Sequence, residues 1–204
     1  MVHQQAITGR VLDVGCGSKP YQDCFPLVSA YIGIDVEASG HDHENSKVDV
    51  FYDGLNIPFT NEGFDSVVCF EVLEHVEDPK ITLEEIKRVI KDHGSLLISV
   101  PFLYGEHEEP YDFQRFTSFG LVKLLDHVGF NVVSLEKTTS EFMAIAQLNI
   151  LYLSRHWGIK IRGFNRFKQY LIISPLTVAT ILIDRHITKN QKGFCNIVVL
   201  AKKS

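Results

Sequence analysis

R-V-L-D-V-G-C-G-S-K-P-Y, Arg10 to Tyr21, is an apolar run that ends in an acid and two closely spaced glycines. Val11, Leu12 and Val14 suit a strand buried on both faces, which delivers Asp13 to its carboxyl end. Gly15 and Gly17 admit a positive φ and leave no Cβ between the backbone and a ligand, so the turn can serve as a floor. A G-x-G after a strand occurs at more than one kind of adenosine-bearing site and also in plain tight turns. The rest of the chain decides between them.

Downstream, strand and helix patterns alternate. Tyr31-Ile32-Gly33-Ile34-Asp35 reads as a second strand after a helix or irregular turn from about Ser18 to Ser29, interrupted by Pro20 and Pro26, and Asp35 stands 20 residues after Gly15. An acid at that strand end can accept hydrogen bonds from both ribose hydroxyls of an adenosine. Residues 37 to 47 are polar and aperiodic, which predicts a loop; His41, Asp42 and His43 within it suggest solvated side chains rather than a metal site. Val48 to Phe51 reads as a short third strand, followed by Asp53, whose carboxylate would meet the exocyclic amine of an adenine. Phe64 to Phe70 is the fourth strand and runs into Glu71-Val72-Leu73-Glu74-His75. Asp78 and Pro79 open a helix with Leu83, Ile86 and Ile90 on one face and Gly94 as its expected terminator. Ser95 to Val100 is the fifth strand, and Thr117 or Ser118 caps a helix closed by Gly129.

This order predicts an α/β fold, a doubly wound and mostly parallel Rossmann-like sheet. Ligands of such sheets bind beyond the carboxyl ends of the strands, where strand order reverses. Asp13, Gly15, Gly17, Asp35, Asp53 and Glu71 all fall on that edge.

At 204 residues, 45% hydrophobic and 22% charged, the chain is expected to form a single domain over residues 1–204. Such a chain buries roughly 70% of its unfolded surface. A net charge of -5 and a pI near 6.0 give no global reason to expect nucleic-acid binding. Four cysteines without a C-x-x-C pair read as reduced thiols, and no metal site is expected in the chain. The opening M-V-H-Q-Q-A-I-T lacks an apolar signal core, which argues for a cytoplasmic location.

VLDVGCG, GIDVE, D-G-L-N-I-P-F with F-D-S-V-V, and EVLEHVEDP occur in that order. Over about residues 9 to 138 the chain resembles a class I S-adenosylmethionine-dependent methyltransferase. The resemblance implies that the glycine loop with Asp13, Gly15 and Gly17 passes under the methionine part of the cofactor. It likewise implies Asp35 at the ribose, Asp53 near the adenine and Glu71 beside the sulfonium. Where many members carry a third glycine this chain has Lys19 and then Pro20, so a lysine is available for the cofactor's carboxylate. Pro20 also breaks the dinucleotide fingerprint, which disfavours NAD.

Methyl transfer asks the protein chiefly for alignment, which can supply roughly 7 to 11 kcal/mol. A hydroxyl acceptor would also need a base, and His107, just past the fifth strand, is the candidate, with His75 the alternative. Tyr104, Asp112 and Arg115 are candidate contacts to a small-molecule acceptor. The loop H-E-E-P-Y-D-F-Q-R-F-T-S-F-G-L is similar to one in small methyltransferases encoded with surface-polysaccharide and glycolipid enzymes, which implies a saccharide hydroxyl, free or lipid-linked.

The last third departs from that pattern. Asn131 to Lys137 and Cys195 to Lys202 suit the sixth strand and an antiparallel last strand, with more than fifty residues between them where the family has a hairpin. This predicts a helical insertion at about 140–190, made of Phe142 to Trp157 and Tyr170 to Asp184, where Pro175 kinks the second helix or marks its first turn. Arg155, Lys160, Arg162, Arg166 and Lys168 cluster there with Trp157, Phe164 and Phe167. Three readings stand: a cap packing on the core or on the second subunit of a homodimer, a peripheral membrane contact through residues 142–184, or a pocket for a phosphorylated acceptor. The opposing hypothesis for the whole chain is a non-catalytic nucleoside-binding protein that meets a membrane or protein partner through this insertion.

Overall fold

The computed structural model describes residues 3–37, 46–156, 174–184 and 193–204. The glycine-ended strand is β1 (Thr8–Val14), and it pairs in parallel with β2 (Leu27–Val36) on one side and β4 (Phe64–Phe70) on the other. Beyond β2 lies β3 (Val50–Tyr52); beyond β4 lies β5 (Ile90–Pro101), both parallel to their neighbours. The sheet is completed by β7 (Asn196–Lys203) and then β6 (Phe130–Lys137), which supply its antiparallel end, giving the order β3-β2-β1-β4-β5-β7-β6. Strand order therefore reverses at β1 and β4, and the crevice expected of such a sheet opens beyond their carboxyl ends.

The reason β1, β4 and β5 form the centre is legible in their burial. Val11, Leu12, Val14, Val67, Val68, Cys69, Leu96 and Ile98 are wholly inaccessible to solvent, as strands covered on both faces must be. On one face Ile7, Val11, Phe25, Val68, Leu97 and Leu200 form a contiguous apolar cluster. Helix α1 (Pro79–Val89) buries Leu83, Ile86 and Val89, and α2 (Ser118–Val128) buries Leu121, Leu125 and Val128. Asp78 caps α1 by accepting from the Lys80 amide, and Thr117 caps α2 by accepting from the Gly120 amide. Gly129 ends α2 in the left-handed conformation, φ 91°.

Two boundaries differ from expectation. β2 begins at Leu27, and only a short 3-10 turn, Gln22–Cys24, separates it from the glycine loop. Gly94 does not terminate α1: the helix ends at Val89, and β5 starts at Ile90 and runs through Gly94. A Cβ on Gly94 would lie 2.9 Å from the Asp65 carbonyl oxygen, so the residue is small for close packing, while His93 takes the positive φ of 60°.

The described chain divides into two compact units, Met1–Glu136 with Ile197–Ser204, and Lys137–Asn196. The second contains α3 (Glu141–His156) and α4 (Ser174–Asp184), with Pro175 in the first turn of α4. Ser140 Oγ accepts from the Met143 amide at the start of α3, and Thr180 Oγ donates to the Leu176 carbonyl within α4. The basic and aromatic cluster from Arg155 to Lys168 lies outside the described side chains, as do His41, Asp42 and His43. No described helix is long and apolar enough to cross a membrane.

Candidate functional site

The turn after β1 is held against β2. The amides of Gly15 and Cys16 both donate to the Ile34 carbonyl, at 2.9 and 3.1 Å. Gly15 has φ 71°, and a Cβ on it would stand 2.3 Å from Val72 Cγ2, so both conformation and packing demand glycine. At Gly17 a Cβ would meet nothing within 4 Å: open space lies over the loop. The Gly17 amide donates to Asp35 Oδ2 at 2.9 Å, and the Val36 amide donates to Asp35 Oδ1 at 2.8 Å. Asp35 is thus fixed by two backbone donors and keeps lone pairs for a ligand.

These residues border a cavity of about 760 Å³, a size suited to a nucleoside with a side chain. Gly15, Gly17, Asp35, Asp53 and Glu71 all line it, together with His75, Tyr111 and Phe113. Asp35, Glu37, Asp53, Glu71, Glu77, Asp78 and Glu108 place seven carboxylates on its wall, and no lysine or arginine is among the described lining residues. The field inside favours a cation and opposes a pyrophosphate. Asp53 accepts from the Leu55 and Asn56 amides at 2.8 and 2.7 Å and from Asn56 Nδ2 at 2.9 Å, bonds that hold its carboxyl below the usual range. Glu71 adopts φ 54° and accepts from Ser99 Oγ at 2.5 Å.

Asp13 and Lys19 stand elsewhere. The Asp13 carboxylate is buried, away from the cavity wall, and accepts from the Tyr31 hydroxyl at 2.6 Å; burial pushes its carboxyl up to about 7. Lys19 Nζ, which its position made available for a cofactor carboxylate, pairs instead with Asp49 Oδ2, an oxygen that also accepts from the Gly33 amide at 2.7 Å.

The loop after β5 packs on the short turn Leu73–His75 after β4. Phe113 N donates to the Glu74 carbonyl at 2.8 Å, and Gln114 Nε2 donates to the Leu73 and Val76 carbonyls at 3.1 and 3.0 Å. His107 is not on the cavity wall; its ring stands edge-on to His75, 4.7 Å between centroids, with Tyr104 edge-on to His107 at 5.2 Å. Asp112 and Arg115 are not presented to the cavity either. They form a paired carboxylate and guanidinium, with Arg115 Nη2 2.7 Å from Asp112 Oδ2, and the guanidinium holds the Asp112 carboxyl down to about 2. Asp112 also accepts from the His107 amide at 3.0 Å, so the pair builds the loop that carries His107.

Sequence reasoning missed Glu74. It is wholly buried, neither carboxylate oxygen makes a hydrogen bond, and burial pushes its carboxyl up to about 8. Its neighbour His75 has Nδ1 on the Tyr111 carbonyl at 2.8 Å and an Nε2 without a hydrogen bond, 3.7 Å from Glu74 Oε1. Nothing in the E-V-L-E-H string marks one of its two acids as interior.

The pattern of the methyltransferase domain family matches residues 4–135. A ubiquinone biosynthesis O-methyltransferase from Glaesserella parasuis is 30% identical over 104 residues, 44% of each chain, so that relative is matched over less than half its length. A Mycolicibacterium smegmatis protein named "Probable S-adenosylmethionine-dependent methyltransferase" is 29% identical over 161 residues, 72% of this chain and 60% of the relative. Among solved structures, a SAM dependent methyltransferase from Archaeoglobus fulgidus superposes with TM-score 0.60 at 17% identity, covering 99% of this chain and 89% of that one, a likeness of fold.

Proposed function

Since this chain belongs to the methyltransferase domain family, whose pattern spans residues 4–135, we propose that it methylates a hydroxyl of a saccharide, free or lipid-linked. The chain is an S-adenosylmethionine-dependent methyltransferase. S-adenosylmethionine brings a methyl group on a positively charged sulfur, so its leaving group is already activated. The observation that carries the reading is the cavity: seven carboxylates and no described lysine or arginine suit a sulfonium and repel a dinucleotide's phosphates. Asp35, held by Gly17 and Val36, accepts from the ribose, and open space over Gly17 lets the cofactor lie against the backbone. Glu71 stands at the end of β4, beside the sulfonium.

An oxygen acceptor agrees with the O-methyltransferase relative. A hydroxyl must shed its proton as it is methylated, and Glu74, His75 and His107 at the cavity's side are the residues that activate it. His75 faces the acceptor and His107 supports it from behind, the reverse of the order that sequence position alone suggests. Ile145, Tyr152, Val178 and Leu182 are exposed on α3 and α4 of the second unit, apolar and aromatic side chains that would suit contact with a membrane surface. Co-sedimentation with anionic vesicles tests that contact.

Calorimetric titration with S-adenosylmethionine, S-adenosylhomocysteine and NAD, followed by transfer of labelled methyl to saccharide and lipid-linked saccharide acceptors, tests the whole. The first two ligands bind and NAD does not, and the label appears on oxygen. Label found only on nitrogen or carbon acceptors refutes the acceptor class.

A further inference from the structure

The buried carboxylate beside the cavity has no hydrogen-bonding partner to hold it. Glu74 is inaccessible and neither of its oxygens makes a hydrogen bond, and His75 Nε2 is buried without one as well. Interiors rarely leave three such atoms bare together, because each has given up water for nothing. Ligand atoms of Glu74, His75 and His107, one from each, lie within 4.8 Å of one another.

Both imidazoles are steadied from behind. His75 Nδ1 is 2.8 Å from the Tyr111 carbonyl, while His107 Nδ1 is 3.2 Å from the Gly105 carbonyl and 3.3 Å from Asp112 Oδ2. An acceptor behind Nδ1 fixes the proton there and leaves the lone pair on Nε2, the arrangement of metal-ligating histidines. Asp112 is in turn held by its pair with Arg115.

We infer that Glu74, His75 and His107 bind a divalent transition-metal ion, with Zn2+ the favoured member, and that the acceptor hydroxyl takes its open position. Two histidines and a glutamate are the donor set of catalytic zinc sites that keep one position free. His75 lines the cavity, and its Nε2 also stands 3.7 Å from Oε1 of Glu108, another residue of the cavity wall, so an ion held by Nε2 is reached from the cavity side. The cation satisfies the bare carboxylate and Nε2 at once. The identity of the acceptor rests on the methyltransferase reading above; the ion itself does not. Bound to the ion, the hydroxyl releases its proton to water at lower pH. The oxygen then bonds to the methyl carbon while the carbon–sulfur bond breaks and leaves its electron pair on sulfur.

The full chain, stripped with chelator, is titrated with Co2+ and followed by visible d–d absorption, then challenged with Zn2+. One equivalent binds, with the intense bands of a low-coordinate ion, and Zn2+ displaces it. Glu74→Gln and His107→Ala each weaken uptake by more than about 100-fold, and Asp112→Asn, which leaves all three ligands, weakens it by about 10- to 100-fold. S-adenosylhomocysteine affinity, measured in parallel, stays within about twofold in His107→Ala, which shows the variant folded. No uptake by the wild-type chain at micromolar metal overturns the proposal, and so does uptake that both ligand variants retain. Failure of the wild-type chain to bind S-adenosylhomocysteine would instead strike the methyltransferase reading.

Discussion

Asp13→Asn isolates the energetic cost of an acid placed inside the sheet. Burial is the main reason the Asp13 carboxyl rises from 3.8 to about 7; the Tyr31 hydroxyl and the Lys19 charge pull it down, and Asp35 pushes it further up. Below the ordinary carboxylate range both folded and unfolded chains hold the proton, and Asp13 costs nothing. As pH rises from about 4 to 7 the unfolded chain ionises while the native one stays protonated, so stability falls by about 1.4 kcal/mol per pH unit. The loss is complete above the folded value and amounts to about 4 kcal/mol. Asparagine has nearly the shape of the protonated acid, and its carbonyl oxygen can still accept from Tyr31. Urea unfolding of the ligand-free chain, run side by side across this range, is the assay. The two proteins have similar stability near pH 4, and the variant gains about 4 kcal/mol on the wild type by pH 8. A difference between the two that stays flat with pH would show that Asp13 ionises like an exposed acid, and the burial argument would fail.

Asp35→Ala removes the anchor of the Gly17 and Val36 amides and, on the proposed reading, the acceptor for a ribose, and is expected to weaken S-adenosylhomocysteine binding by about 1.5 to 3 kcal/mol in calorimetry; unchanged affinity would detach Asp35 from the cofactor. Gly15→Ala combines φ 71° with a Cβ 2.3 Å from Val72 Cγ2, so it lowers stability by about 2 kcal/mol or more and impairs cofactor binding, while a wild-type melting curve would contradict the packing. Arg88 donates to the Ile57 and Phe59 carbonyls, both at 2.8 Å, and to Glu85, tying down the segment after Asp53. Arg88→Lys keeps the charge and loses the fork, at about 1 to 2 kcal/mol in chemical denaturation after allowing for partial exposure.

Much of the fold was legible because the local signals agreed with one another. Phe64–Phe70 forms the strand its apolar run suggests, and Asp78, Pro79, Thr117 and Gly129 punctuate the helices as their chemistry requires. Gly94 misled because sequence does not distinguish a glycine that turns the chain from one that lets a neighbouring carbonyl approach. The cavity acids were legible through topology, since strand ends share an edge whatever their side chains do. Lys19 and Asp112 were harder, because their roles depend on partners 30 and three residues away, Asp49 and Arg115, that claim their charges first. Glu74 was invisible for a related reason: its burial comes from the loop after β5 folding over the turn after β4, a long-range event.

The acidic wall of the cavity also bears on turnover. Methyl transfer erases the positive charge on sulfur, so in the proposed complex the carboxylates of the cavity wall attract the starting cofactor by a Coulombic pull that the neutral thioether does not feel. On that reading the spent nucleoside is held less tightly than the starting cofactor, which eases product inhibition. Because that pull is screened by salt, rising ionic strength narrows the preference for the charged form over the neutral one, and the enzyme loses its electrostatic advantage in clearing the site.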